Sequence, residues 1–329
     1  MSDTSKKILV TGAGGFIGFN LANYLADSGH QVAGVDLHYP EHPFDGKDPR
    51  FETVRSDFRN WSLMKDLLKD KDVVFHLASA HLQISLDESE YWDINVHSLR
   101  PLLELSRKGG VKRFIHVSSV GVYGNLKTWP ADEESECHPQ SIYGETKIAG
   151  EEEVRKFYRE TGFPVVIVRP AWVYGPGCPR TLKIYRTLKK KRFIMIGKGE
   201  NLRHPIFIAD MLEAFRITMD HEKAVGETFI IAGEKAITTT ELVEGFSSSL
   251  DIPGPLLRIP YFLGKTMAVT AELLFGIIKK EPPLSRRSLE FFDTNNAFDI
   301  SKAKKLLNFV PQYSFEKGLV ESRGWLENN

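Results

Sequence analysis

The chain has 329 residues, of which 42% are hydrophobic and 26% charged, so it is long enough to bury one large core or two smaller ones. Its formal net charge is zero, with 43 cationic and 43 acidic side chains, which argues against nucleic acid as a partner and favours a small-molecule substrate. Cys137 and Cys178 form no CxxC pair and have no metal-ligand spacing to a histidine, so we expect no disulfide framework, no metal and a reducing compartment.

The amino-terminal residues lead directly into a short apolar strand candidate and then into glycines. An apolar region of this length, residues 8–10, is too short to predict a secretory signal. Together with the cysteine usage, this favours a cytoplasmic location.

Apolar runs of strand length alternate with segments of helical periodicity in the first half of the chain. The strand candidates are residues 7–11, 31–36, 51–54, 72–77, 113–118 and 165–169. This alternation predicts a parallel sheet with helices on both faces, which is the doubly wound, Rossmann-like α/β architecture. In such a sheet, ligands gather beyond the carboxyl ends of the strands.

The pattern changes after residue 170. The following sequence is rich in helix candidates, including a basic one over residues 181–191, and its clear strand candidates are residues 192–196 and 228–231. We therefore expect a Rossmann-like cofactor domain over residues 1–170 and a smaller, mostly helical substrate lobe over residues 171–329. The chain is free to re-enter the first domain from this lobe.

Three glycines follow the first strand candidate directly and open a helix candidate. Gly12, Gly15 and Gly18 let the backbone turn tightly and approach a pyrophosphate. The positive end of the helix dipole, at the N-terminus that contains Phe16 and Ile17, attracts the negative charge of that pyrophosphate. The spacing is not the strict GxGxxG, and a plain strand-to-helix turn is the alternative, but the position between strand and helix indicates a dinucleotide site.

Acidic residues follow the second and third strand candidates. Asp36 closes the second strand, where a carboxylate accepts hydrogen bonds from both adenosine ribose hydroxyls and repels a 2′-phosphate, which favours NAD over NADP. An aspartate that only begins a loop is the alternative at this position. Asp57 is placed to bind the adenine amino group or to begin a turn.

The strongest chemical pattern is a serine turn followed by a Tyr-x-x-x-Lys helix start. Tyr143 and Lys147 are four residues apart and share one helix face. A free tyrosine titrates near pH ~10, so an acid-base tyrosine needs a neighbouring cation that stabilises the phenolate. The Ser119 hydroxyl would polarise the reacting oxygen. Tyr123, in a glycine turn without a lysine at helical spacing, is the rival tyrosine.

These motifs stand in the order found in extended short-chain dehydrogenases/reductases, and the resemblance covers nearly the whole chain. It is carried by residues 11–18, Asp36, residues 76–80, Asn95, Ser119, Tyr143, Lys147 and residues 169–170. The resemblance implies that Tyr143 is the acid-base, that Lys147 holds the nicotinamide ribose and lowers the tyrosine pKa, and that Ser119 binds the substrate oxygen. Asn95 would support the active-site helix. The cofactor NAD would contact the glycine loop, Asp36, Asp57, Phe58, Leu77, Ala78, Ser79, Tyr143 and Lys147.

At two places the sequence differs from the family's usual residues, and these differences limit which reaction and substrate the resemblance implies. Family members that remove water from nucleotide sugars carry an Asp-Glu pair where Val120 and Gly121 stand here, so elimination is not expected. Residues 197–210 are similar to the stretch in which nucleotide-sugar epimerases place an arginine on the substrate diphosphate. Arg203 fits that role, although the residues that follow it depart from the usual acidic-aromatic pair and an ordinary surface charge is the alternative.

An apolar stretch over residues 256–278, with residues 281–287 behind it, resembles the carboxyl-terminal region of 3β-hydroxysteroid and sterol dehydrogenases. Arg258, Lys265 and Glu272 interrupt the stretch, which argues against a membrane-spanning helix. A buried or lid helix is one interpretation, and a surface for lipid or a hydrophobic substrate is the other. Residues 256–280 are the only place where we expect membrane contact.

The sequence thus predicts an NAD-dependent epimerase or oxidoreductase that moves a hydride at a secondary-alcohol carbon, in the first interpretation that of a nucleotide sugar. A 3β-hydroxysteroid- or sterol-type dehydrogenase is the alternative. A third interpretation is a protein that binds the cofactor but has no catalytic activity. The presence of Ser119, Tyr143 and Lys147 together argues against this interpretation.

Helix candidates around residues 89–108 and 143–161 resemble those that pair in a four-helix interface in this family. This resemblance implies a two-fold homodimer. Leu99, Leu102 and Leu103 could serve that interface or pack inward on the sheet.

Overall fold

The structure is a computed structural model, and it describes residues 5–40, 49–81, 86–255, 257–277 and 286–329. The strands of its central sheet are β1 (Lys7–Thr11), β2 (Gln31–Asp36), β3 (Glu52–Arg55), β4 (Val73–His76), β5 (Arg113–Val117), β6 (Val165–Pro170) and β11 (Thr228–Ile231). The seven strands are all parallel and lie in the order β11-β6-β5-β4-β1-β2-β3. The strands predicted for the first domain are all present, and the predicted architecture is confirmed.

Successive strand residues feed two hydrophobic cores, one on each face of the sheet. In β1, Ile8 and Val10 enter one core and Leu9 enters the other, because neighbouring side chains of a strand point to opposite faces. β4 and β5 are buried over their whole length. Burial on both faces explains why these strands are near-continuous apolar runs in the sequence.

Helices cover both faces of the sheet. Their bounds are α1 (Phe16–Asp27), α2 (Trp61–Leu67), α3 (Glu88–Trp92), α4 (Leu99–Lys108), α5 (Ile142–Thr161), α6 (Pro179–Lys189), α7 (Ile208–Asp220), α8 (Thr239–Leu250), α9 (Tyr261–Ile277), α10 (Arg286–Asp293), α11 (Ser301–Leu307) and α12 (Phe315–Asn328). A π-helical turn, Asp93–His97, joins α3 to α4, and 3₁₀ turns occur at Val120–Tyr123 and Glu222–Ala224. Phe19 of α1 and Phe215 of α7 pack in one core, whereas α4 and α5 pack in the other.

The carboxyl-terminal half contains three small sheets of two strands. They pair β7 (Trp172–Tyr174) with β10 (Pro205–Phe207), β8 (Ile194–Ile196) with β13 (Leu257–Ile259), and β9 (Leu202–Arg203) with β12 (Ile237–Thr238). β11 is different, because it joins the edge of the central sheet beside β6. A strand that follows residue 170 thus lies in the central sheet, and the division into two domains at residue 170 stays a prediction.

The predicted apolar stretch near the carboxyl terminus contains β13 and α9. Residue 256 and residues 278–285 lie outside the described residues. No helix within the described ranges is both long and apolar enough to cross a membrane.

Candidate active site

The carboxyl ends of β1 and β4 meet where the strand order reverses. β1 pairs with β2 on one side and with β4 on the other. The loops after β1 and β4 are tied together, because the Leu77 nitrogen donates to the Thr11 carbonyl oxygen at 3.0 Å and the Ala78 nitrogen donates to Thr11 Oγ1 at 3.3 Å. Ligands of open α/β sheets bind in the crevice at such a switch point.

The glycine loop is packed too closely for side chains at two of its positions. Gly12 has a φ of +76°, and a Cβ there would lie 2.6 Å from the Ala78 nitrogen. A Cβ at Gly18 would overlap the Gly12 carbonyl oxygen. Gly15 differs, since a Cβ there would meet only the Gly12 oxygen, at 3.4 Å. Gly15 therefore faces the open side of the loop.

The start of α1 offers a helix N-terminus beside this loop. Its N-cap residue, Gly15, makes no side-chain cap hydrogen bond, and the first turn contains no acidic residue. Phe16 and Ile17 pack against the core and hold the helix in place. The positive end of the helix dipole is thus accessible to phosphate, which fits the pyrophosphate of a dinucleotide such as NAD.

Asp36 lies at the end of β2, beside the glycine loop. Its Oδ2 accepts a hydrogen bond from the Gly14 nitrogen at 2.9 Å, and its Oδ1 accepts one from the His38 nitrogen at 3.1 Å. Each carboxylate oxygen keeps further acceptor capacity for a ribose hydroxyl. This geometry supports the preference for NAD over NADP, which stays a prediction.

The residues after β3 have partners within the chain. The Arg59 guanidinium binds the Asp57 carboxylate, with 2.6 Å between Nη2 and Oδ2, and this hydrogen bonding holds the pKa of the carboxyl below its usual range. The Phe58 ring is buried and packs edge-on against His76. Asp57 thus lies in a turn in which Arg59 neutralises its charge. Because the Phe58 ring is buried, only the Phe58 backbone could contact a cofactor.

Asn95 lies in the π-helical turn and is buried. Its Oδ1 accepts from the Ala80 nitrogen at 2.8 Å, and its Nδ2 donates to Thr146 Oγ1 at 2.9 Å. The side chain thereby links the loop after β4, which also contains Ser79, to the first turns of α5. This geometry agrees with the predicted support of the active-site helix.

α5 and the serine turn after β5 bring Ser119, Tyr143 and Lys147 together. Ser119 and Tyr143 meet beside Gly121, where a Cβ would lie 3.3 Å from Ser119 Oγ and 3.6 Å from Tyr143 Cε1. Lys147 Nζ donates to the Val117 carbonyl oxygen at 2.9 Å and lies 5.8 Å from the centroid of the Tyr143 ring. The predicted catalytic residues are therefore neighbours in space, and their roles stay predictions.

The serine turn lies directly against α5. Ser119 Oγ accepts from the Gly121 nitrogen at 3.0 Å, which leaves its hydroxyl proton to donate elsewhere. A Cβ at Gly144 would lie 2.7 Å from the Gly121 carbonyl oxygen. The glycine next to Tyr143 thus permits the close approach that brings the phenol to the serine.

Burial dominates the pKa values of this site. It raises the pKa of Tyr143 to about 12, and the Ser119 hydrogen bond and the Arg180 charge oppose this effect. Burial also lowers the pKa of Lys147 to about 8, against the attraction of Glu151. The lowering of the tyrosine pKa by Lys147 stays a prediction, because desolvation of the phenolate sets the direction of the pKa in the protein without cofactor. Tyr143 is protonated at neutral pH and can act as a proton donor.

The rival tyrosine has a structural role. Tyr123 is buried, and its hydroxyl donates to the Asp132 carbonyl oxygen at 2.7 Å and accepts from the Arg169 guanidinium. Burial raises the pKa of Tyr123 well above its ordinary value. Its hydroxyl is engaged within the core, so Tyr143 is the better placed acid-base.

Sequence reasoning missed a buried charge cluster behind the predicted catalytic residues. Glu151, one turn beyond the predicted catalytic lysine, is fully buried and binds Arg169 Nη2 at 2.7 Å and Arg155 Nη2 at 2.6 Å. Its Oε1 also accepts from the Ser118 hydroxyl at 2.5 Å. The cluster joins α5, β5 and β6. An arginine inside the apolar strand β6 was the available signal, because a buried cation needs a partner.

Two arginines of the carboxyl-terminal half interact electrostatically, and one of them, Arg180, also acts on Tyr143. Arg203 is buried, and burial lowers its pKa to about 10. Its Nη1 donates to Thr294 Oγ1 at 3.1 Å, and its Nη2 donates to the Glu290 carbonyl oxygen at 2.7 Å. Arg180 of α6 is exposed, and its charge acts on both Tyr143 and Arg203. Over the described part of the chain, neither arginine forms an ion pair with a carboxylate. Arg180 was missed because it precedes a run of basic residues that is typical of a solvated helix.

His81 is a further residue that the sequence did not single out. It is exposed, and its ring lies edge-on to the Tyr143 ring with 4.7 Å between the centroids. The imidazole therefore lines the approach to the phenol.

Known proteins resemble this chain over nearly its whole length. The profile of the NAD dependent epimerase/dehydratase family matches residues 8–232. An uncharacterized UDP-glucose epimerase of Bacillus subtilis is 30% identical, with 98% of each chain covered. The structure of a UDP-glucuronic acid 4-epimerase of Bacillus cereus in complex with NAD is 26% identical, covers 98% of this chain and 99% of its own, and has a TM-score of 0.78.

Relatives with other activities also occur. A dTDP-glucose 4,6-dehydratase of Streptomyces niveus is 26% identical over 98% of this chain and 93% of its own length. A decarboxylating sterol-4-alpha-carboxylate 3-dehydrogenase of Mus musculus is 26% identical over 96% of this chain and 89% of its own length. Both substrate classes considered from the sequence are thus represented among the relatives.

The region matched by the family profile contains the glycine loop, Asp36, Ser119, Tyr143 and Lys147. The accessible N-terminus of α1 and the Asp36 carboxylate fit the NAD on which the family depends. The predicted resemblance is confirmed, and the chain belongs to the NAD-dependent epimerase/dehydratase family.

Proposed function

We propose that this protein is an NAD-dependent epimerase of nucleotide sugars, with Tyr143 as its acid-base. The observation that carries the proposal is that Ser119 and Lys147 lie beside Tyr143 and that the Arg180 charge acts on the same phenol. Ser119 and Lys147 suit proton transfer at an alcohol carbon, and the positive charge of Arg180 suits an anionic substrate.

Proton transfer falls to the phenol oxygen. For oxidation of the substrate alcohol, Tyr143 must first lose its proton to solvent. The alcohol O–H proton then passes to the phenolate oxygen while hydride leaves the same carbon, and a carbonyl group forms. NAD, when bound, would supply a reversible acceptor for this hydride, and epimerisation requires that the hydride return to the opposite face of the carbonyl. Tyr143 then donates the proton back to the oxygen, so the configuration at the carbon is inverted and no net oxidation occurs.

Ser119 and Lys147 assist this proton transfer in different ways. The Ser119 hydroxyl can donate to the reacting oxygen, because its own acceptor capacity is partly used by the Gly121 nitrogen. Lys147 places a cation beside the tyrosine ring, where it favours the phenolate form that oxidation requires.

Arg203 and Arg180 supply positive charge for a substrate diphosphate. Arg203 Nε is buried and, among the described residues, has no hydrogen-bond partner. A buried guanidinium without a carboxylate is costly unless a ligand brings the negative charge. Nη2 of Arg203 binds Glu290 of α10 and Nη1 binds Thr294 directly after the helix, so each Nη uses one of its two protons. The remaining protons of Arg203 and the exposed Arg180 are the donors that we assign to phosphate oxygens.

Dehydration is the less supported reaction. Val120 and Gly121 stand where dehydratases of the family carry an acidic pair, and neither can shuttle the extra protons of an elimination. We therefore propose epimerisation without loss of water, although a dehydratase is among the relatives.

A sterol-type dehydrogenase is the second candidate. The exposed apolar side chains of α9 and the relationship to a sterol-4-alpha-carboxylate 3-dehydrogenase favour it. The two arginines favour the nucleotide sugar, because a diphosphate brings more negative charge to them than the single carboxylate of a sterol carboxylate or an uncharged hydroxysteroid.

One substrate panel separates these functions. The protein is incubated with NAD and with UDP-, GDP- and dTDP-sugars or hydroxysteroids, and the sugars are analysed by NMR and mass while absorbance reports reduced nicotinamide. We expect a sugar epimer without accumulation of reduced cofactor. Reduced cofactor formed only with a hydroxysteroid, or a sugar product lacking water, would support the competing reactions instead.

Arg180→Gln and Lys183→Gln are a matched pair on α6 for the diphosphate contact. Both side chains are exposed, but only Arg180 acts electrostatically on Tyr143. We expect Arg180→Gln to raise the KM for the nucleotide sugar about tenfold, the worth of one charged hydrogen bond, and Lys183→Gln to leave it unchanged. Equal effects of both changes would contradict the assignment.

We further propose that the protein acts in the cytoplasm as a homodimer. The absence of a CxxC pair and the two unpaired cysteines, Cys137 and Cys178, support a reducing compartment. The helices α3 and α4 with α5 are the proposed interface, and its test is given in the Discussion.

A further inference from the structure

Helix α9 presents an apolar face to solvent. Phe262, Leu263, Met267 and Val269 are 66%, 43%, 47% and 37% exposed, and Leu257 of the preceding strand is 51% exposed. These five side chains are half of the ten large hydrophobic side chains that are exposed in the described ranges. Such a concentration marks an interaction surface rather than the scattered apolar residues of an ordinary surface.

The opposite side of α9 is fixed to the rest of the molecule. Gly264 packs against Ile196 of β8, and Ala268 is fully buried. The Tyr261 hydroxyl forms a hydrogen bond with Asp293 Oδ2 of α10 at 3.0 Å. The helix therefore cannot turn its apolar face inward without breaking these contacts.

The polar groups on the exposed face are satisfied within the helix. Thr266 Oγ1 donates to the Phe262 carbonyl oxygen at 3.0 Å, and Thr270 Oγ1 donates to the Thr266 carbonyl oxygen at 3.0 Å. A threonine bonded back to the preceding turn presents its methyl group outward and needs no water partner. This face can therefore enter an apolar medium without leaving hydroxyl groups unsatisfied.

The exposed charged residues beside the apolar side chains are basic, whereas Glu272 follows on the next turn of the helix and Asp293 is bonded to Tyr261. Arg258 and Lys265 are exposed, and no acidic residue occurs between residues 257 and 271. Lysine at the edge of an apolar helix face can extend its ammonium group to lipid phosphates while its alkyl chain stays with the apolar groups. Although the whole chain has no net charge, this surface is complementary to anionic headgroups.

We propose that this face of α9, with Leu257, docks on the surface of an anionic phospholipid membrane. The helix lies in the interface and does not cross it, because no helix of the described ranges is long and apolar enough to span a bilayer. Docking brings the candidate active site close to the lipid, since α10 contacts α9 through Asp293 and holds Arg203 through Glu290.

Vesicle flotation of the full chain tests this docking. The probes are vesicles of equal parts phosphatidylcholine and phosphatidylglycerol, and vesicles of phosphatidylcholine alone. We expect preferential binding to the anionic vesicles that weakens with added salt. Phe262→Ser combined with Met267→Ser should reduce the binding constant at least about tenfold, because two large apolar groups no longer enter the lipid.

Val310→Ser combined with Val320→Ser is the matched control. These valines are 56% and 52% exposed and lie outside α9, so this variant should bind vesicles like the wild type. Circular dichroism and turnover establish that both double variants are folded. Lack of wild-type binding to anionic vesicles, or equal loss in both double variants, would overturn the proposal. It would also be overturned if light scattering showed that the α9 variant breaks up an oligomer without affecting vesicle binding, since a second copy would then cover the face.

Discussion

The hydroxyl groups of Tyr143 and Tyr123 have different surroundings. Tyr123 is bonded within the core to Arg169 and Asp132, whereas Tyr143 lies beside Ser119 at the carboxyl end of β5. Tyr143→Phe removes one oxygen, so folding and NAD binding should survive while turnover falls by about 10²–10⁴. Steady-state kinetics on the substrate found in the panel, together with calorimetry of NAD binding, measure these effects.

Tyr123→Phe is the matched control for this prediction. It should lower the Tm, because Arg169 loses a buried partner, but it should retain most of the turnover. If Tyr143→Phe kept more than about a tenth of wild-type turnover, the acid-base assignment would be wrong and Tyr123 would become the next candidate.

The buried ammonium group of Lys147 is proposed to assist catalysis, but its burial lowers the free energy of unfolding. Burial lowers its pKa from 10.5 to about 8, so below pH 8 the folded protein holds a charge that the unfolded chain accommodates better. Lys147→Met should therefore stabilise the cofactor-free protein by up to about 3 kcal/mol at neutral pH. The gain should shrink as the pH rises from about 8 towards 10.5, because the folded wild type then loses the buried charge. Urea unfolding at several pH values measures it.

The same variant should bind NAD more weakly and require a higher pH for activity, because the phenolate loses its cation. Lys156→Met on the exposed side of α5 is the control and should alter neither property. A Lys147→Met protein that is less stable than wild type at neutral pH would show that the hydrogen bond to Val117 outweighs the desolvation of the ammonium.

Asp36 serves the loop as well as the predicted cofactor. Asp36→Ala would remove the acceptors of Gly14 and His38, so Asp36→Asn is the cleaner variant, since it keeps an acceptor and removes the charge. We expect the wild type to bind NAD at least about tenfold more tightly than NADP, or about 1.4 kcal/mol, and Asp36→Asn to reduce this ratio. Calorimetry that gave equal affinities of the wild type for both cofactors would refute the preference.

At the scale of elements, the buried cluster around Glu151 joins α5 to β5 and β6. Glu151→Gln leaves Arg169 as an uncompensated buried cation, so the free energy of unfolding should fall by about 3–5 kcal/mol. Glu152→Gln is the matched control, because Glu152 pairs with Arg159 at the exposed surface of the same helix and should matter little. Urea unfolding of the two variants should differ clearly, and similar values would show that the cluster does not hold these elements together.

At the scale of the whole molecule, the proposed dimer needs exposed groups on the helices of its interface. Leu99, Leu102 and Leu103 cannot supply them, since all three are fully buried against the sheet within one chain. Trp92 of α3 is 36% exposed and is the large apolar side chain left for a partner. Light scattering at micromolar protein should give twice the chain mass of 37.3 kDa.

Trp92→Asp should convert this dimer into monomers, whereas Trp129→Asp should not. Trp129 is 48% exposed but lies outside the proposed interface helices, so it controls for the loss of a surface tryptophan. A monomer mass for the wild-type protein would refute the homodimer.

Local patterns in the sequence determined the sheet, the glycine loop and the Tyr143–Lys147 pair. A strand buried on both faces must be apolar throughout, and a lysine four residues after a tyrosine on a helix must share its face, whatever surrounds them. The chemical type of the site therefore followed from spacing and order along the chain.

Only the tertiary structure decided which distant residues meet. Three examples are the hydrogen bond of Asn95 to Thr146, the ion pair of Glu151 with Arg169 and the pairing of β11 with β6. In each, the local sequence of one segment does not predict which other segment it contacts. Burial was likewise the largest influence on the pKa of Tyr143, since desolvation depends on everything packed around the phenol. The same reason explains why Tyr123, which looked like a rival in sequence, is a core residue in the fold.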